Sequence, residues 1–387
     1  MKQIIRKIKN VIEPSYNFIY KQCIKLFYYI PIKQNKIVFI QGDGDGYFCN
    51  LKYIAEEIIR QNLDYDMIWM VNRMDEHIPY PIRKVKYNRI KAVYELATAH
   101  FLINNLKSYI PVKKKNGQKF IYIPHGQPGA KRAEADAILS EEYKIMSRQH
   151  SSLTDVFVSI GKYHTKVLKD TFWVPQNAEI WEIGFPRNDQ YFRNTAEIQK
   201  KIRLKLRIPN KTKIAYYAPT FRDHGTADAF DLDLERVLDT LERKTGDKWI
   251  MFTTLHYNFT YFAKPNFKYS ERILNMTSYP DLHELFLIVD LCITDYSSVS
   301  LDFANTRRPV FIYASDIDEY QRLRGLKQMF FSYPFPFAHN NDEMERNIMM
   351  YDKNKRRQMF DDWIKNVYGS VDDGYAAKRF VDKLQIL

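Results

Sequence analysis

The fold is decided by one stretch of the sequence, Leu291-Cys-Ile-Thr-Asp-Tyr-Ser-Ser-Val-Ser-Leu-Asp-Phe-Ala-Asn-Thr-Arg-Arg-Pro309. A mostly apolar run from Leu285 to Ile293 predicts a buried strand. After it, Val299, Phe303 and Ala304 recur at the spacing of one helical face. The polar segment between strand and helix should therefore be a turn at which the helix begins.

The polar residues of this turn suit either a helix cap or a phosphate site. Ser297 and Ser298 are both good N-cap residues. A helix start also presents unpaired backbone N–H groups and a partial positive charge, which can hold a phosphate. The two interpretations remain open from this stretch alone. Asp295 would repel a phosphate, so we expect it to bind a ribose hydroxyl, pair with a nearby cation or hold the turn.

Length and composition indicate a folded protein of two domains or more. The chain has 387 residues, of which 45% are hydrophobic and 15% aromatic. Its cysteines, Cys23, Cys49 and Cys292, have no metal-ligand spacing and do not suggest a disulfide framework. A reducing compartment is the simplest expectation.

The formal net charge of +13 predicts a polyanionic partner, and the excess is concentrated at the N-terminus. Residues 1–36 contain eight lysines and arginines against the single acid Glu13. Their apolar residues recur at helical spacing, but no run approaches the roughly 20 residues needed to span a bilayer. No secretory signal is apparent. We interpret residues 1–35 as a basic amphipathic segment on an anionic membrane surface, or alternatively as a basic helix packed on its own domain.

From Lys36 onward, short apolar runs alternate with helical patterns, which is typical of parallel sheets covered by helices. Strands are predicted at Lys36–Ile40, Met67–Val71, His100–Ile103, Phe120–Ile123, Val156–Ile160 and Glu179–Ile183, and again at Lys213–Tyr217, Trp249–Thr253 and Val310–Tyr313. Residues 191–212 are polar and should be a helical connection between two such halves.

Two loops of the first half attract attention. The loop Pro124–Arg132 follows a predicted strand and carries His125 with Gly126, at the edge of the sheet where α/β proteins bind ligands. By itself this histidine could be catalytic or merely exposed. The loop Gly42–Gly46 lacks both the dinucleotide-binding spacing and the distal glutamate of a calcium loop, so we expect a tight turn there.

Several segments together make the chain resemble the CDP-glycerol glycerophosphotransferase family, the primases and polymerases of wall teichoic acid and related bacterial surface polymers. The segments that carry this resemblance are Phe48-Cys-Asn-Leu-Lys-Tyr-Ile-Ala55, His125-Gly126 with Pro128, Gly184-Phe-Pro-Arg-Asn-Asp189, Tyr217-Ala-Pro-Thr-Phe-Arg-Asp223, Leu255-His256, Thr294-Asp-Tyr-Ser-Ser298, Asp302-Phe-Ala-Asn305 and Arg308-Pro309.

The resemblance implies an α/β protein of GT-B architecture, in which two Rossmann-like domains face a cleft. We then expect an acceptor domain at residues 36–190, a nucleotide-binding domain at 213–350, and C-terminal helices at 351–387 that return to the first domain. The implied reaction transfers glycerol phosphate from CDP-glycerol to a lipid-linked saccharide or polyol phosphate acceptor and releases CMP. It requires no cofactor or metal, and the enzyme would be peripheral on the cytoplasmic face of the membrane.

The resemblance also implies roles for individual residues. His125 would be the general base, and His256 would lie on the diphosphate across the cleft. The residues expected to bind substrate are Gly126, Arg187, Thr220, Arg222, Asp295, Ser297, Ser298 and Asp302. Ser297 and Ser298 would hold the diphosphate, while Thr220 and Arg222 would lie near the nucleotide. The family commonly has Trp and Thr where this chain has Pro124 and Gln127.

Three other functions are alternatives to this one. A ribitol phosphate transferase of the same family, or a GT-B glycosyltransferase using a nucleotide sugar, would differ in the donor. A nucleic-acid-binding protein would explain the charge, but no aromatic and basic recognition motif is present, so no nucleic acid partner is expected. Little chain lies beyond the two predicted domains, which favours a single, primase-like addition.

Overall fold

The structure of the protein is a computed structural model. It describes residues 22, 25–42, 44, 46–87, 89–108, 113–222, 230–255 and 267–387. Most of the predicted basic amphipathic segment lies outside these residues, and so does His256. The apex of the glycine loop at 42–46 is likewise only partly described.

The first half forms a sheet whose described strands are all parallel. Its elements in chain order are β1 (Lys33–Ile40), α1 (Cys49–Arg60), β2 (Asp66–Val71), β3 (Arg83–Lys86), α2 (Ile90–Thr98), β4 (Ala99–Asn104), β5 (Lys119–Tyr122), α3 (Glu141–Leu153), β6 (Val156–Ser159), α4 (Lys162–Thr171) and β7 (Glu179–Glu182). The strand order is β3-β2-β1-β4-β5-β6-β7. A 3₁₀ helix at Pro186–Phe192 and α5 (Ala196–Lys205) lead to the second half.

The second half repeats this arrangement with a six-stranded parallel sheet. Its elements are β8 (Lys213–Ala218), α6 (Leu234–Thr245), β9 (Trp249–Thr253), β10 (Ile273–Asn275), α7 (Leu282–Leu285), β11 (Leu291–Thr294), α8 (Val299–Ala304), β12 (Val310–Tyr313), α9 (Ile317–Leu323), α10 (Gln328–Phe331), β13 (Phe337–Ala338), α11 (Asn341–Met350), α12 (Lys353–Trp363) and α13 (Ala376–Leu384). The order β10-β9-β8-β11-β12-β13 is the Rossmann order.

The predicted strands are confirmed, with small shifts at their ends. They could be predicted because they are buried on both faces of the sheet. In β1, for example, the four residues Ile37–Ile40 are at most 1% exposed. Strands covered by helices on both sides need apolar side chains at every position rather than at alternate ones. The continuous apolar runs of the sequence therefore result from this burial on both faces.

One strand prediction was wrong in its extent. The apolar run from Leu285 to Ile293 is not one strand, because only its last part lies in β11. The earlier part is buried in a turn whose backbone carbonyls are satisfied by Arg308. This guanidinium donates to the carbonyls of Phe286 at 2.7 Å and Leu287 at 3.0 Å. An arginine thus supplies the hydrogen bonds that a sheet neighbour would otherwise provide.

The last helix packs against the first half of the molecule. α13 lies on α1, and its first turn is capped by Asp189, whose carboxylate accepts from the backbone N–H groups of Ala376 at 2.9 Å and Ala377 at 2.8 Å. Asp372 accepts from the N–H of Phe185 at 2.8 Å. The first domain is therefore built from two separate parts of the chain.

The residues just before β1 are also attached to the first domain. The ring of Phe27 meets that of Tyr94 edge to face, and Lys115 donates to the carbonyl of Ile30 at 2.7 Å. Leu26 and Tyr29, by contrast, are 65% and 82% exposed. Within the described part of the chain, no helix has the length and apolar character needed to cross a membrane.

We expect Asp189→Ala to lower the free energy of unfolding by about 1 to 3 kcal/mol, because two buried N–H groups at the start of α13 lose their acceptor. Urea unfolding monitored by circular dichroism measures this. Asp382→Ala, which removes an exposed partner of Lys378 in the same helix, is the control and should change stability by less than about 0.5 kcal/mol. Equal effects of the two variants would show that the cap is unimportant.

Candidate active site

The predicted site residues converge at the carboxyl ends of the strands, where the two sheets face each other. His125 follows β5 in the first domain, and Ser298 begins α8 after β11 in the second. A methyl group placed on Gly126 would lie 3.4 Å from the Ser298 hydroxyl oxygen. The loop that carries His125 (the histidine loop) and the turn that carries Ser298 therefore approach each other closely across the cleft.

The histidine loop continues across the cleft and is fixed to the second domain. Lys131 forms an antiparallel bridge with Leu326, and the N–H of Lys327 donates to the carbonyl of Ala130 at 2.7 Å. Gly129 is packed so closely that any side chain there would collide with the hydroxyl of Tyr333. Glycine at this position is thus required by the approach of the two domains.

His125 presents its side chain to the cleft while its backbone is held from behind. Its carbonyl accepts a short hydrogen bond from Arg187. The protein on both sides of the cleft disfavours a charged ring and lowers the pKa of His125 below the usual value, and the nearby Arg187 and Lys131 lower it further. A hydrogen bond with the Asn105 backbone acts in the opposite direction. The imidazole is therefore neutral and able to accept a proton at neutral pH.

Arg187 and Asp302 form a buried ion pair between the domains. Nη2 of Arg187 lies 2.8 and 3.0 Å from the two carboxylate oxygens, and the arginine side chain is fully buried. Nη1 of the same guanidinium contacts the sulfur of Cys49 at 3.1 Å, while Gln127 donates to Asp302 at 2.7 Å. Apart from Nε of Arg187, which is buried without a hydrogen-bond partner among the described residues, these polar atoms bond to one another inside the protein.

A second buried network holds the turn after β8. Asp295 accepts from the backbone N–H of Thr220 at 2.9 Å and from its hydroxyl at 2.6 Å, and it pairs with Arg222 at 3.0 Å. Arg222 also binds Asp316 at 2.7 Å. Of the roles expected for Asp295, the structure contains the nearby cation and the turn. Its oxygens accept these bonds within the protein, and the expected contact with a ribose hydroxyl stays a prediction.

The serines at the start of α8 only weakly cap it. Ser298 occupies the N-cap position, but its hydroxyl makes no capping hydrogen bond. Ser297 accepts from the N–H of Val299 at 3.3 Å, which is a long contact. The hydroxyl of Ser298 is thus not used as a cap and faces the Gly126 loop.

A pocket of about 270 Å³ lies beside these serines, mainly in the second domain. It is bordered by the ends of β8 and β9, by the turn after β10 and by the start of α8; residues that line it include Tyr216, Thr220, Thr254, Thr277, Tyr279, Ser297 and Val299. Lys131 reaches it from the first domain. Hydroxyl groups and aromatic rings of this kind can hold a nucleotide and its phosphates.

The structure thus brings together His125, Gly126, Ser297 and Ser298 around an open cleft. It places Arg187, Thr220, Arg222, Asp295 and Asp302 in the supporting networks, while His256 lies outside the described residues. The sequence interpretation missed the role of Gln127, which was noted only as a departure from the family. Its partner Asp302 is 175 positions away, so no local pattern could reveal the contact.

Removing one partner of the buried pair should be costly. Asp302→Asn would leave the charge of Arg187 uncompensated and should lower the free energy of unfolding by about 3 to 5 kcal/mol. The double variant Arg187→Met with Asp302→Leu should recover much of this loss. Urea unfolding is the measurement, with Asp170→Asn in the exposed Lys166–Asp170 pair as the control. A double variant no more stable than Asp302→Asn would contradict the assignment.

The chain is similar in sequence to enzymes of teichoic acid synthesis. The chain is 30% identical over 369 residues to a teichoic acid poly(glycerol phosphate) polymerase of Staphylococcus epidermidis, covering 91% of this chain and 50% of that protein. It is 26% identical over 389 residues to a teichoic acid poly(ribitol-phosphate) polymerase of Bacillus spizizenii, covering 99% of this chain and 61% of that protein. The chain therefore spans only about half to three fifths of the length of these relatives.

The fold is also that of a solved relative. A variant of the wall teichoic acid polymerase TagF superposes with a TM-score of 0.83 at 27% identity, covering 100% of this chain and 96% of that one. Another structure of TagF followed a soak with CDPG. The predicted two-domain GT-B fold is thereby confirmed. The family model CDP-glycerol:poly(glycerophosphate) glycerophosphotransferase matches residues 22–385. The chain therefore belongs to the CDP-glycerol glycerophosphotransferase family, as its motifs predicted.

Proposed function

We propose that this protein transfers glycerol phosphate from CDP-glycerol to a hydroxyl group of a lipid-linked acceptor and releases CMP. The observation that carries the proposal is the close approach of the His125–Gly126 loop to Ser298, since it sets a candidate base near a helix start that can hold a diphosphate. The family and the CDPG soak of TagF support the choice of donor.

In the proposed reaction, His125 accepts the proton of the acceptor hydroxyl. The hydroxyl oxygen attacks the phosphorus bonded to glycerol, a new P–O bond forms, and the bond to the CMP oxygen breaks. Ser297, Ser298 and the N–H groups at the start of α8 would stabilise the charge on the diphosphate. Phosphoryl transfer depends mainly on such positioning and charge stabilisation.

The buried polar residues are proposed to position this machinery rather than to touch substrate. Arg187 donates to the carbonyl of His125 and pairs with Asp302 on α8, so one guanidinium fixes both the base and the helix. Asp295 fixes the turn of Thr220 in the same way. Direct binding by these groups would require their ion pairs to open.

The donor could instead carry ribitol, because a poly(ribitol-phosphate) polymerase is among the relatives. Thermal shift measurements with CDP-glycerol, CDP-ribitol and a UDP-sugar would separate the candidates. A ligand present at about a hundred times its dissociation constant stabilises the folded state by roughly 2.7 kcal/mol. Stabilisation only by CDP-ribitol would move the proposal to the ribitol branch, and stabilisation only by the UDP-sugar would reject it.

The lipid-linked acceptor implies that the enzyme works at a membrane, peripherally on its cytoplasmic face. The basic composition of residues 1–36 supports this, as do the exposed side chains of Leu26 and Tyr29 within that segment. Apolar side chains next to clustered cations are typical of segments that lie in the interface of an anionic bilayer.

His125→Ala should lower kcat by about 10² to 10⁴, because the reaction loses a positioned base, while the dissociation constant for CDP-glycerol stays nearly unchanged. CMP release and calorimetry measure the two quantities. His100→Ala is the control, since this residue lies at the amino end of β4, away from the cleft. An equal loss of donor binding in His125→Ala would make the histidine a structural residue.

The pH dependence of kcat/KM should reflect the lowered pKa of His125. Protonation removes the base, so activity should fall on the acid side with a midpoint below 6.5, the ordinary value for histidine. Measuring kcat/KM from pH 5 to 8 tests this expectation. A midpoint above 6.5 would contradict a base whose pKa is lowered by the surrounding protein and by the nearby Arg187.

Deleting residues 1–21 should release the protein from vesicles containing phosphatidylglycerol, because it removes several cations that each contribute about 1 kcal/mol near an anionic surface. The cut stops before Phe27, which packs on the first domain, so the fold should be retained. Vesicle flotation and circular dichroism provide the two readouts. Unfolding on deletion would instead indicate a helix packed on its own domain.

A further inference from the structure

The turn that follows β4 lies between two loops of the first domain. β4 is the neighbour of β1 on one side and of β5 on the other. The glycine loop (residues 42–46) follows β1, and the histidine loop follows β5. The carboxyl ends of parallel strands meet at one edge of a sheet. Asn105, the first residue after β4, is therefore placed between the glycine loop and the histidine loop.

Asn105 is hydrogen-bonded to both loops. Its side-chain Oδ1 accepts from the backbone N–H of Gly42 at 2.7 Å. Its backbone is hydrogen-bonded to the ring of His125, and this bond favours the protonated ring. The imidazole is therefore the donor, and the carbonyl of Asn105 is the acceptor. Asn105 itself is 1% exposed, so water has little access to it.

The backbone at this turn is fixed by the preceding residue, Asn104, which is also buried. The carbonyl of Asn104 accepts from the N–H of Ile123 at 2.9 Å, two residues before the histidine. Its side-chain Nδ2 donates to the carbonyl of Leu106 at 3.2 Å. The carbonyl of Asn105 lies between these two bonds, so it has a defined position relative to the start of the histidine loop.

A carbonyl acceptor determines which nitrogen of a neutral imidazole carries the proton. Neutral histidine has one N–H and one unprotonated nitrogen, and the hydrogen bond made by one nitrogen selects the tautomer. Here the nitrogen that donates to Asn105 holds the proton, and the other nitrogen keeps its lone pair. His125 is exposed, so this second nitrogen is available to a substrate in the cleft.

Charged side chains also act on this ring, but they do not orient it. Arg187 and Lys131 disfavour the charged imidazole, whereas Asp302 on α8 favours it. A charge changes the pKa of the ring without choosing one nitrogen, whereas a hydrogen bond is directional. The bond to Asn105 therefore supplies an orientation that these three charges do not.

We propose that Asn105 is a positioning residue for the proposed reaction: its carbonyl holds the ring of His125 in the tautomer that accepts a proton, and its side chain anchors that carbonyl to Gly42. The inference rests on the proposed function, because it concerns the same base. Asn105 lies outside the motifs that carry the family resemblance, and it acts only through His125. The turn at Gly42 thereby gains a task in the site.

The test compares four full-length proteins: wild type, Asn105→Ala, Asn105→Asp and Asn340→Ala. Asn105→Asp keeps an oxygen that can accept from Gly42. Asn340→Ala is the matched control, because Oδ1 of Asn340 also accepts from a backbone N–H, that of Glu343 at 2.9 Å. Asn340 follows β13, the edge strand of the other sheet, so it is remote from His125. Circular dichroism establishes that each protein is folded, and CMP release from CDP-glycerol gives kcat and KM.

We expect Asn105→Ala to lower kcat about 10- to 100-fold, because the base loses its fixed orientation, while KM for CDP-glycerol stays within about threefold of wild type. Asn340→Ala should match wild type in both constants. A folded Asn105→Ala with the kcat of wild type overturns the inference, and so does an equal loss of kcat in Asn340→Ala.

Asn105→Asp should keep kcat within about threefold of wild type at pH 8, because the anchor to Gly42 is retained. Its carboxylate near the ring favours the imidazolium and raises the pKa of His125, so the acid midpoint of kcat/KM should move to higher pH. If Asn105→Ala does not fold, this variant decides the question. An unmoved midpoint, or a kcat as low as that of Asn105→Ala, contradicts the inference.

The state of the ring can also be measured without the reaction. Nitrogen NMR of protein labelled at its histidine rings shows which ring nitrogen is protonated, and the signals missing from His125→Ala belong to His125. We expect a single tautomer of His125 in wild type and a mixture of both tautomers in Asn105→Ala. A mixture already present in wild type would reject the positioning role.

These readouts separate the inference from the proposed function. If wild type releases CMP and Asn105→Ala does so equally fast, the role of Asn105 is rejected and the proposed function stands. If wild type releases no CMP but its single tautomer is lost in Asn105→Ala, the proposed function is wrong and the positioning of His125 stands. Absence of both CMP release and a single tautomer in wild type overturns both.

Discussion

The buried ion pair between Arg187 and Asp302 is the interaction on which the rest of the site depends. It joins the 3₁₀ helix after β7 to α8, and the same guanidinium holds the backbone of His125. Burying two charges is costly unless each is fully paired, so this geometry is favoured only while the two domains are in place. The loop that carries His125 is thus held by an interdomain contact and not by either sheet alone.

The charges of the site are divided between two tasks. Carboxylates neutralise the arginines inside the protein, where the pairs fix the turns after β8 and β11. In the described part of the chain, the pocket beside the cleft is lined by hydroxyls, aromatic rings and apolar side chains, together with Lys131. Such groups can surround a phosphate without the rigid two-point geometry that a guanidinium imposes. The arrangement suits a diphosphate whose charge shifts from one oxygen to another during the reaction.

Much of the fold could be predicted because parallel strands that are buried on both faces appear in the sequence as continuous apolar runs. The run at Leu285–Ile293 shows the limit of this reasoning. Burial alone does not distinguish a strand from a turn whose carbonyls accept hydrogen bonds from Arg308, which lies after the turn in the sequence. The motifs lie on loops that the structure places beside the cleft, and their roles stay predictions, whereas the contact between Gln127 and Asp302 is specified only by the folded structure.

The position of α13 has a consequence for how the molecule is assembled on the ribosome. The helix completes the first domain, yet it is synthesised 187 residues after Asp189, the side chain that caps it. Until α13 emerges, the face of α1 that it covers stays open, and the first domain is incomplete. Of the two domains, the first is therefore completed only after the second has been synthesised, which favours chaperone binding at that open face during translation.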